Sequence, residues 1–195
     1  MTDTDQSVNS QTSAGSQTSD ASDASSPASW GEPRTKTVTF YDPLATARAL
    51  QHLSGRQAIE AVRTGEVAPP PMASLLGFDI TEVGDGSVTF TCTPDESAYN
   101  PIGVVHGGLM CTLLDSVIGC AVHTTLPAGV GYTSLEIKVN YLRAVHANRG
   151  ALVARGQVTK PGRRVAFAEG QIHDTDGKLV ATASGSCLII GPASA

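Results

Sequence analysis

His106-Gly107-Gly108-Leu109-Met110-Cys111-Thr112-Leu113-Leu114-Asp115-Ser116-Val117-Ile118-Gly119-Cys120-Ala121-Val122-His123-Thr124-Thr125-Leu126 is an unbroken run of 21 residues with helical periodicity. Leu109, Met110, Leu113, Leu114, Val117, Ile118, Ala121 and Val122 recur at spacings of three and four. Thr112, Asp115, Ser116, Gly119 and His123 gather on the remaining side. At 1.5 Å per residue such a helix is about 31 Å long, enough to cross a small domain. Asp115 in its middle, with the polar stripe, argues against a membrane span. The run predicts a central core helix.

On both sides of it the period changes to two. Upstream, Phe78-Asp79-Ile80-Thr81 leads through Gly84-Asp85-Gly86 into Ser87-Val88-Thr89-Phe90-Thr91-Cys92-Thr93. Val88, Phe90 and Cys92 alternate there with hydroxyl residues, which predicts a half-buried hairpin strand. Downstream, Leu135, Ile137, Val139 and Tyr141 alternate with Glu136, Lys138 and Asn140. Ala151 to Thr159, Arg164 to His173 and Leu179 to Ile190 follow, separated by turns at Lys160-Pro161-Gly162 and Asp174-Thr175-Asp176-Gly177. The order is β-β-α-β-β-β-β, and short links after the helix predict neighbouring antiparallel strands. One long apolar helix and six antiparallel strands can bury each other only if the sheet curls around the helix, an α+β architecture. Such a sheet keeps open edges, so edge-to-edge pairing into a dimer is expected.

Residues 1–29 hold four aspartates, no Lys or Arg and a single Val. This composition cannot bury enough apolar surface to offset its ordering entropy, and a disordered tail over residues 1–35 is expected. The stretch has neither the basic and apolar regions of a secretory signal nor the Arg of a mitochondrial presequence, so a cytoplasmic location is expected. Residues 36–70 read as a short helical extension. Asp42-Pro43 starts a helix running to about Leu53, and Ser54-Gly55-Arg56-Gln57 has the form of a capping box for a second that Gly65 ends. Pro69-Pro70-Pro71 reads as a stiff connector, with the main domain at residues 71–191.

Across all 195 residues, 41% are hydrophobic and only 5% aromatic, too few for a base-stacking surface. With 13 basic against 18 acidic residues the net charge is −5, which argues against a phosphate-coating nucleic-acid binder. Four scattered cysteines without a C-x-x-C pair read as buried free thiols. Five histidines without H-x-x-x-H spacing give no metal site.

The chemistry concentrates in Asn100-Pro101-Ile102-Gly103-Val104-Val105-His106-Gly107-Gly108, with Asp115 nine residues after the histidine. Two glycines at a helix start cost about 1 kcal/mol each in propensity, which makes sense where something must approach the backbone closely. Free N–H groups and the positive dipole end there suit an oxyanion. Asp115, two turns in, is placed to be a partly buried general base. Each piece also has a plainer reading: the glycines permit tight packing, His106 caps the helix, and Asp115 hydrogen-bonds a loop. The conjunction favours a site.

Asn100-Pro101-x-Gly103-x-x-His106-Gly107-Gly108 followed by Leu113-x-Asp115 resembles the signature of the PaaI-like hotdog-fold acyl-CoA thioesterases. The likeness continues through Gly129-x-Gly131-Tyr132-Thr133, Val139-x-Tyr141-Leu142-Arg143, Gly162-Arg163 and Asp176-Gly177-Lys178-Leu179-Val180-Ala181. It spans roughly residues 70 to 190. The resemblance implies a hotdog fold, in which a six-stranded antiparallel sheet wraps a long central helix, and a homodimer or homotetramer of such subunits. It also implies hydrolysis of acyl-CoA without metal or redox cofactor, at no nucleic-acid or membrane partner. Asp115 would be the nucleophile or the base that activates water. The Gly107 N–H would polarise the thioester carbonyl, Asn100 would hold substrate or water, and His106 would shape the turn. Asn, His and Gly would come from one subunit and Asp from the other, with Ser134, or alternatively Thr133, assisting. Arg163 and Arg164, after a glycine turn, and Arg143 are the candidates for binding the coenzyme A phosphates. A non-catalytic acyl-CoA sensor is the alternative from a different class, and retention of Asp115 favours the enzyme.

Overall fold

The computed structural model describes residues 28–191. The greater part of the expected tail, residues 1–27, lies outside the described residues. Residues 28–35 belong to a unit of their own with a short 3-10 turn at Ala28–Trp30, and residues 36–191 form the compact unit that carries the site.

Helix α1, Pro43–Leu50, is capped by Asp42, whose carboxylate accepts from the Leu44 N–H at 2.9 Å. It stops three residues short of Leu53. Helix α2, Gly55–Arg63, has the full capping box: Ser54 Oγ accepts from the Gln57 N–H and the Gln57 side chain accepts from the Ser54 N–H. Where three prolines suggest only a connector, a third helix, α3, spans Pro71–Leu76. Pro71 sits in its first turn, where a missing N–H costs nothing, and Gly77 closes it at φ 68°. Helices α2 and α3 share the main core rather than standing apart from it, whereas α1 buries no residue. Ala58, Ile59 and Ala61 of α2 are buried, and the Gly55 N–H donates to the Leu126 carbonyl at 3.0 Å. A Cβ at Gly55 would lie 1.8 Å from the His123 carbonyl oxygen, so only glycine lets the chains meet so closely.

The remaining elements are β1 (Phe78–Val83), β2 (Ser87–Cys92), α4 (Gly107–Thr124), β3 (Gly131–Tyr141), β4 (Leu152–Lys160), β5 (Val165–His173) and β6 (Leu179–Ile190). The six strands form one antiparallel sheet in the order β1-β2-β4-β5-β6-β3. Expectation and structure differ at β3. It does not pair with β4, its successor in the chain, but with β6 at the far edge, full length from Gly131↔Ile190 to Tyr141↔Ala181. The link across residues 142–151 therefore spans the curl of the sheet instead of making a hairpin. Helix α4 fills that curl, contacting every strand from β2 to β6, and this is the hotdog arrangement.

What lets the sheet close on the helix is a bed of small residues. Gly156 of β4 would put a Cβ 2.1 Å from the Val117 carbonyl oxygen; Gly170, its partner on β5, would put one 3.0 Å from Leu114 Cδ2. Ala154, Ala166, Ala168, Ala181 and Ala183 extend the bed, and Leu113, Leu114, Val117 and Val122 press into it fully buried. Each such apolar side chain contributes about 1.5–3 kcal/mol on burial. By length and apolarity α4 would pass for a membrane span, but ten of its residues are buried inside the sheet.

Strand β3 also departs from simple alternation. Its pairing with β6 slips between Ser134 and Glu136, so Leu135 is an extra, bulged residue and is 53% exposed. The bulge changes the phase of the strand, and Ser134 and Ile137 both turn toward the helix side.

Candidate active site

The start of α4 is built by the loop before it. The Asn100 side-chain oxygen accepts from the Ile102 N–H at 3.1 Å and the Val104 N–H at 3.4 Å, while the Asn100 backbone N–H donates to the Val104 carbonyl at 2.9 Å. Gly103, at φ 78°, completes this tight loop. Val105 then ties to Val145 and the His106 N–H donates to the Ala98 carbonyl at 2.7 Å, which fixes where the helix begins.

His106 is the N-cap. Its Nδ1 accepts from the Gly108 N–H at 2.8 Å, so the neutral ring carries its proton on Nε2. The Leu109 N–H turns back to the His106 carbonyl at 3.1 Å. Among the described residues the Gly107 N–H makes no hydrogen bond, leaving one donor at the positive end of the helix. A Cβ at Gly107 would fall 3.1 Å from Tyr141 Cζ, so glycine also admits the tyrosine ring. Gly107, Tyr141 and Arg143 line a shallow crevice of about 350 Å³.

Asp115 lies on the same helix, eight residues on and about 12 Å along its axis. It faces a different space. Ser134 Oγ donates to Asp115 Oδ1 at 2.8 Å, and both line a cavity of about 660 Å³. Of the two hydroxyls considered at this position, the structure brings Ser134 to the carboxylate; Thr133 faces away in the alternation of the strand.

The cavity has two unlike walls. Leu50 of α1, Ile59 and Val62 of α2, Met72 of α3, and Phe78 and Phe90 of the hairpin make the apolar one. Beyond Asp115, the opposite wall carries Cys120, His123 and Tyr132. Desolvation pushes the Cys120 thiol up to about 12 and the Tyr132 phenol well above its ordinary value, and it lowers His123. All three groups are therefore uncharged near neutral pH. Cys187, opposite Ser134 in the β3–β6 register, is raised by burial and then by the Asp115 charge.

The single chain thus separates the expected residues into two groups. Asn100, His106 and Gly107 stand at the helix start; Asp115 and Ser134 stand two turns away. The expected arginines also divide. Arg143 follows the end of β3 beside Gly107, whereas Arg163 and Arg164 lie in the β4–β5 turn, where the Arg164 carbonyl accepts from Ile189 near the opposite end of β3. Among the described residues no cluster of three or more His, Cys, Asp or Glu could hold a metal ion. Sequence reading missed the wall of Cys120, His123 and Tyr132 and the part played by α1–α3. Tyr132, two residues before Ser134 on the same side of the strand, was the available signal.

A family model described as thioesterase superfamily matches residues 102–181. A phenylacetic acid degradation-related protein of Ralstonia eutropha JMP134 superposes with a TM-score of 0.61 at 32% identity, over 67% of this chain and 98% of that one. The chain belongs to the thioesterase superfamily. Within this superfamily it also resembles the E. coli PaaI protein of the phenylacetic acid degradation operon, at a TM-score of 0.62 and 26% identity over 72% of this chain and 97% of that one. Acyl-coenzyme A thioesterase 13 of Mus musculus is 31% identical over 88 residues, 45% of this chain and 61% of that protein. The chain spans between 59% and 86% of the length of its sequence relatives.

Proposed function

We propose that this thioesterase-superfamily protein hydrolyses acyl-CoA thioesters to the free acid and coenzyme A, at sites made by two copies of the chain. The observation that carries the reading is the Ser134–Asp115 hydrogen bond at the wall of a large, mostly apolar cavity. The serine holds one carboxylate oxygen and leaves the other to take a proton from water. A general base must sit about 2.6–3.2 Å from the group it deprotonates, and an oxyanion donor about 2.7–3.1 Å from the developing charge. With about 12 Å between Gly107 and Asp115 along one helix, a single subunit cannot offer both to one carbonyl. Pairing two copies along the exposed β3 edge would bring the Gly107 end of one helix α4 toward Asp115 of the other. Exposed Leu135 and Tyr141 on that strand support this arrangement, either as a dimer or as a dimer of dimers.

In this scheme Asp115 takes a proton from water and the hydroxide adds to the thioester carbon. The oxyanion is held by the Gly107 N–H and the dipole of α4. Collapse breaks the C–S bond and the leaving thiolate recovers the proton from Asp115. His106 and Asn100 position the Gly107 N–H rather than touch the reacting atoms. Arg143, in the crevice beside Gly107, is the best placed of the three arginines for the phosphates of coenzyme A; Arg163 and Arg164 would serve only from another copy. The name of the mouse relative supports the coenzyme A thioester as substrate.

The test is thiol release from a panel of aryl and straight-chain acyl-CoAs, with Asp115→Asn alongside. Turnover by the wild type and not by the variant is expected. Equal turnover by both would reject the assignment, and tight acyl-CoA binding without turnover by either would leave a sensor.

A further inference from the structure

We infer that the cavity beside Asp115 is measured for an uncharged straight acyl chain of medium length, and that the N-terminal helices α1–α3 set that measure. The inference rests on the thioesterase reading. It goes beyond it by naming the acyl class and the residues that select it.

The length comes from α4. Asp115 and His123 both line the cavity and lie eight residues apart, about 12 Å along the helix. At the His123 end the start of α2 abuts α4: a Cβ on Gly55 would meet the His123 carbonyl oxygen at 1.8 Å. With carbon–carbon bonds of about 1.5 Å and angles of about 111°, an extended alkyl chain advances about 1.25 Å per carbon, so 12 Å accommodates about ten carbons. An aryl acyl group would leave the His123 end empty. A chain much longer than this would run past His123 against the start of α2.

The chemistry of the walls agrees. The groups past Asp115 on the α4–β3 wall are Cys120, Tyr132 and His123, kept uncharged by burial, and the cavity's charged side chains besides Asp115, Arg63 and Asp79, are exposed at its rim. A charged chain end would find no partner inside. The opposing wall is supplied mainly by the helices: Leu50, Ile59, Val62 and Met72 come from segments that precede the matched family stretch at residues 102–181.

The experiment is the kcat/KM profile of the full chain on acyl-CoAs from butanoyl to hexadecanoyl, with phenylacetyl-CoA as the aryl member. A rise of about fourfold per added carbon is expected up to about ten carbons, from the transfer free energy of one methylene, followed by a decline. Leu50→Trp should move the optimum to a shorter chain. Met72→Trp, at a half-exposed position that tolerates bulk, provides a second reading of the roof should Leu50→Trp fail to fold. A flat profile to hexadecanoyl, a preference for the aryl member, or an optimum unmoved by both variants overturns the inference while the thioesterase reading stands. If no member is cleaved, the thioesterase reading falls. Calorimetric binding of the same series then decides the pocket: an optimum near decanoyl-CoA supports it, and equal affinities overturn it.

Discussion

Ser134→Ala removes a single hydrogen bond, the 2.8 Å donation from Ser134 Oγ to Asp115 Oδ1. A hydrogen bond to a charged acceptor contributes about 1.5–3 kcal/mol, which as transition-state stabilisation is about 10- to 150-fold in rate. The lower half is expected here, because the pair stands at a cavity wall that water reaches. Asp115→Asn removes the proton acceptor itself and should lower kcat by about 10²–10⁴. If the serine acts only by aiming the carboxylate, the double variant should be no slower than Asp115→Asn within about twofold, so that the whole Ser134 effect appears as coupling. Steady-state thiol release by the four proteins of this cycle measures it, with KM expected to stay close to wild type. Losses that multiply would refute the reasoning, since Ser134 would then touch water or substrate independently. A raised KM with kcat intact would equally refute it and make Ser134 a binding residue.

Gly156→Ala should drive a Cβ into the Val117 carbonyl, 2.1 Å away, and overpacking of this kind costs about 1–3 kcal/mol. Thermal unfolding should show Tm lower by about 2–12 °C, with Gly131→Ala, which meets nothing within 4 Å, as the neutral control. Ser54→Ala breaks the capping box of α2 and should cost about 1 kcal/mol in urea unfolding; no change would mean that packing on α4 alone holds the helix. The Lys36 ammonium and then Ser97 hold the Asp95 carboxyl at about 2, below its usual value of about 3.9. Because the folded-state value is the lower one, this stabilisation is present above about pH 4 and is lost as pH falls toward 2. The pair is largely exposed, so Lys36→Met should cost less than about 1 kcal/mol at pH 7 and nothing below pH 2, read as Tm at the two pH values.

Much of the fold was legible because the relevant physics is local. The three- and four-residue spacing of Leu109 through Val122 required a helix, and its broad apolar face required burial. Asp42-Pro43 and Ser54 with Gln57 announced two helix starts through capping, which needs only neighbours in the chain. The His106 cap and the paired glycines likewise read as a helix start with free donors, whereas Asn100, expected to hold substrate or water, has its side chain folded into its own loop. Pro71 misled because proline signals a break and an N-terminal turn alike, and only the packing of Ala73 and Leu76 against the core decides between them.

The rest was settled by contacts between distant segments. The position of β3 beside β6 depends on α4 occupying the curl of the sheet, and no link length encodes that. The two candidate hydroxyls, Thr133 and Ser134, could not be separated in a strand of strict period two. The bulge at Leu135 separates them, because the extra residue lets Ser134 and Ile137 share the helix side, and the bulge exists only against β6. The bed of Gly156, Gly170 and small alanines looks like ordinary strand sequence until a helix is laid on it. The roof of α1–α3 over Asp115 is likewise a matter of packing. Residue order determined which elements form and which side chains could do chemistry; tertiary packing decided which of them meet, because a strand register, a bulge and a cavity wall each need a partner far away in the chain.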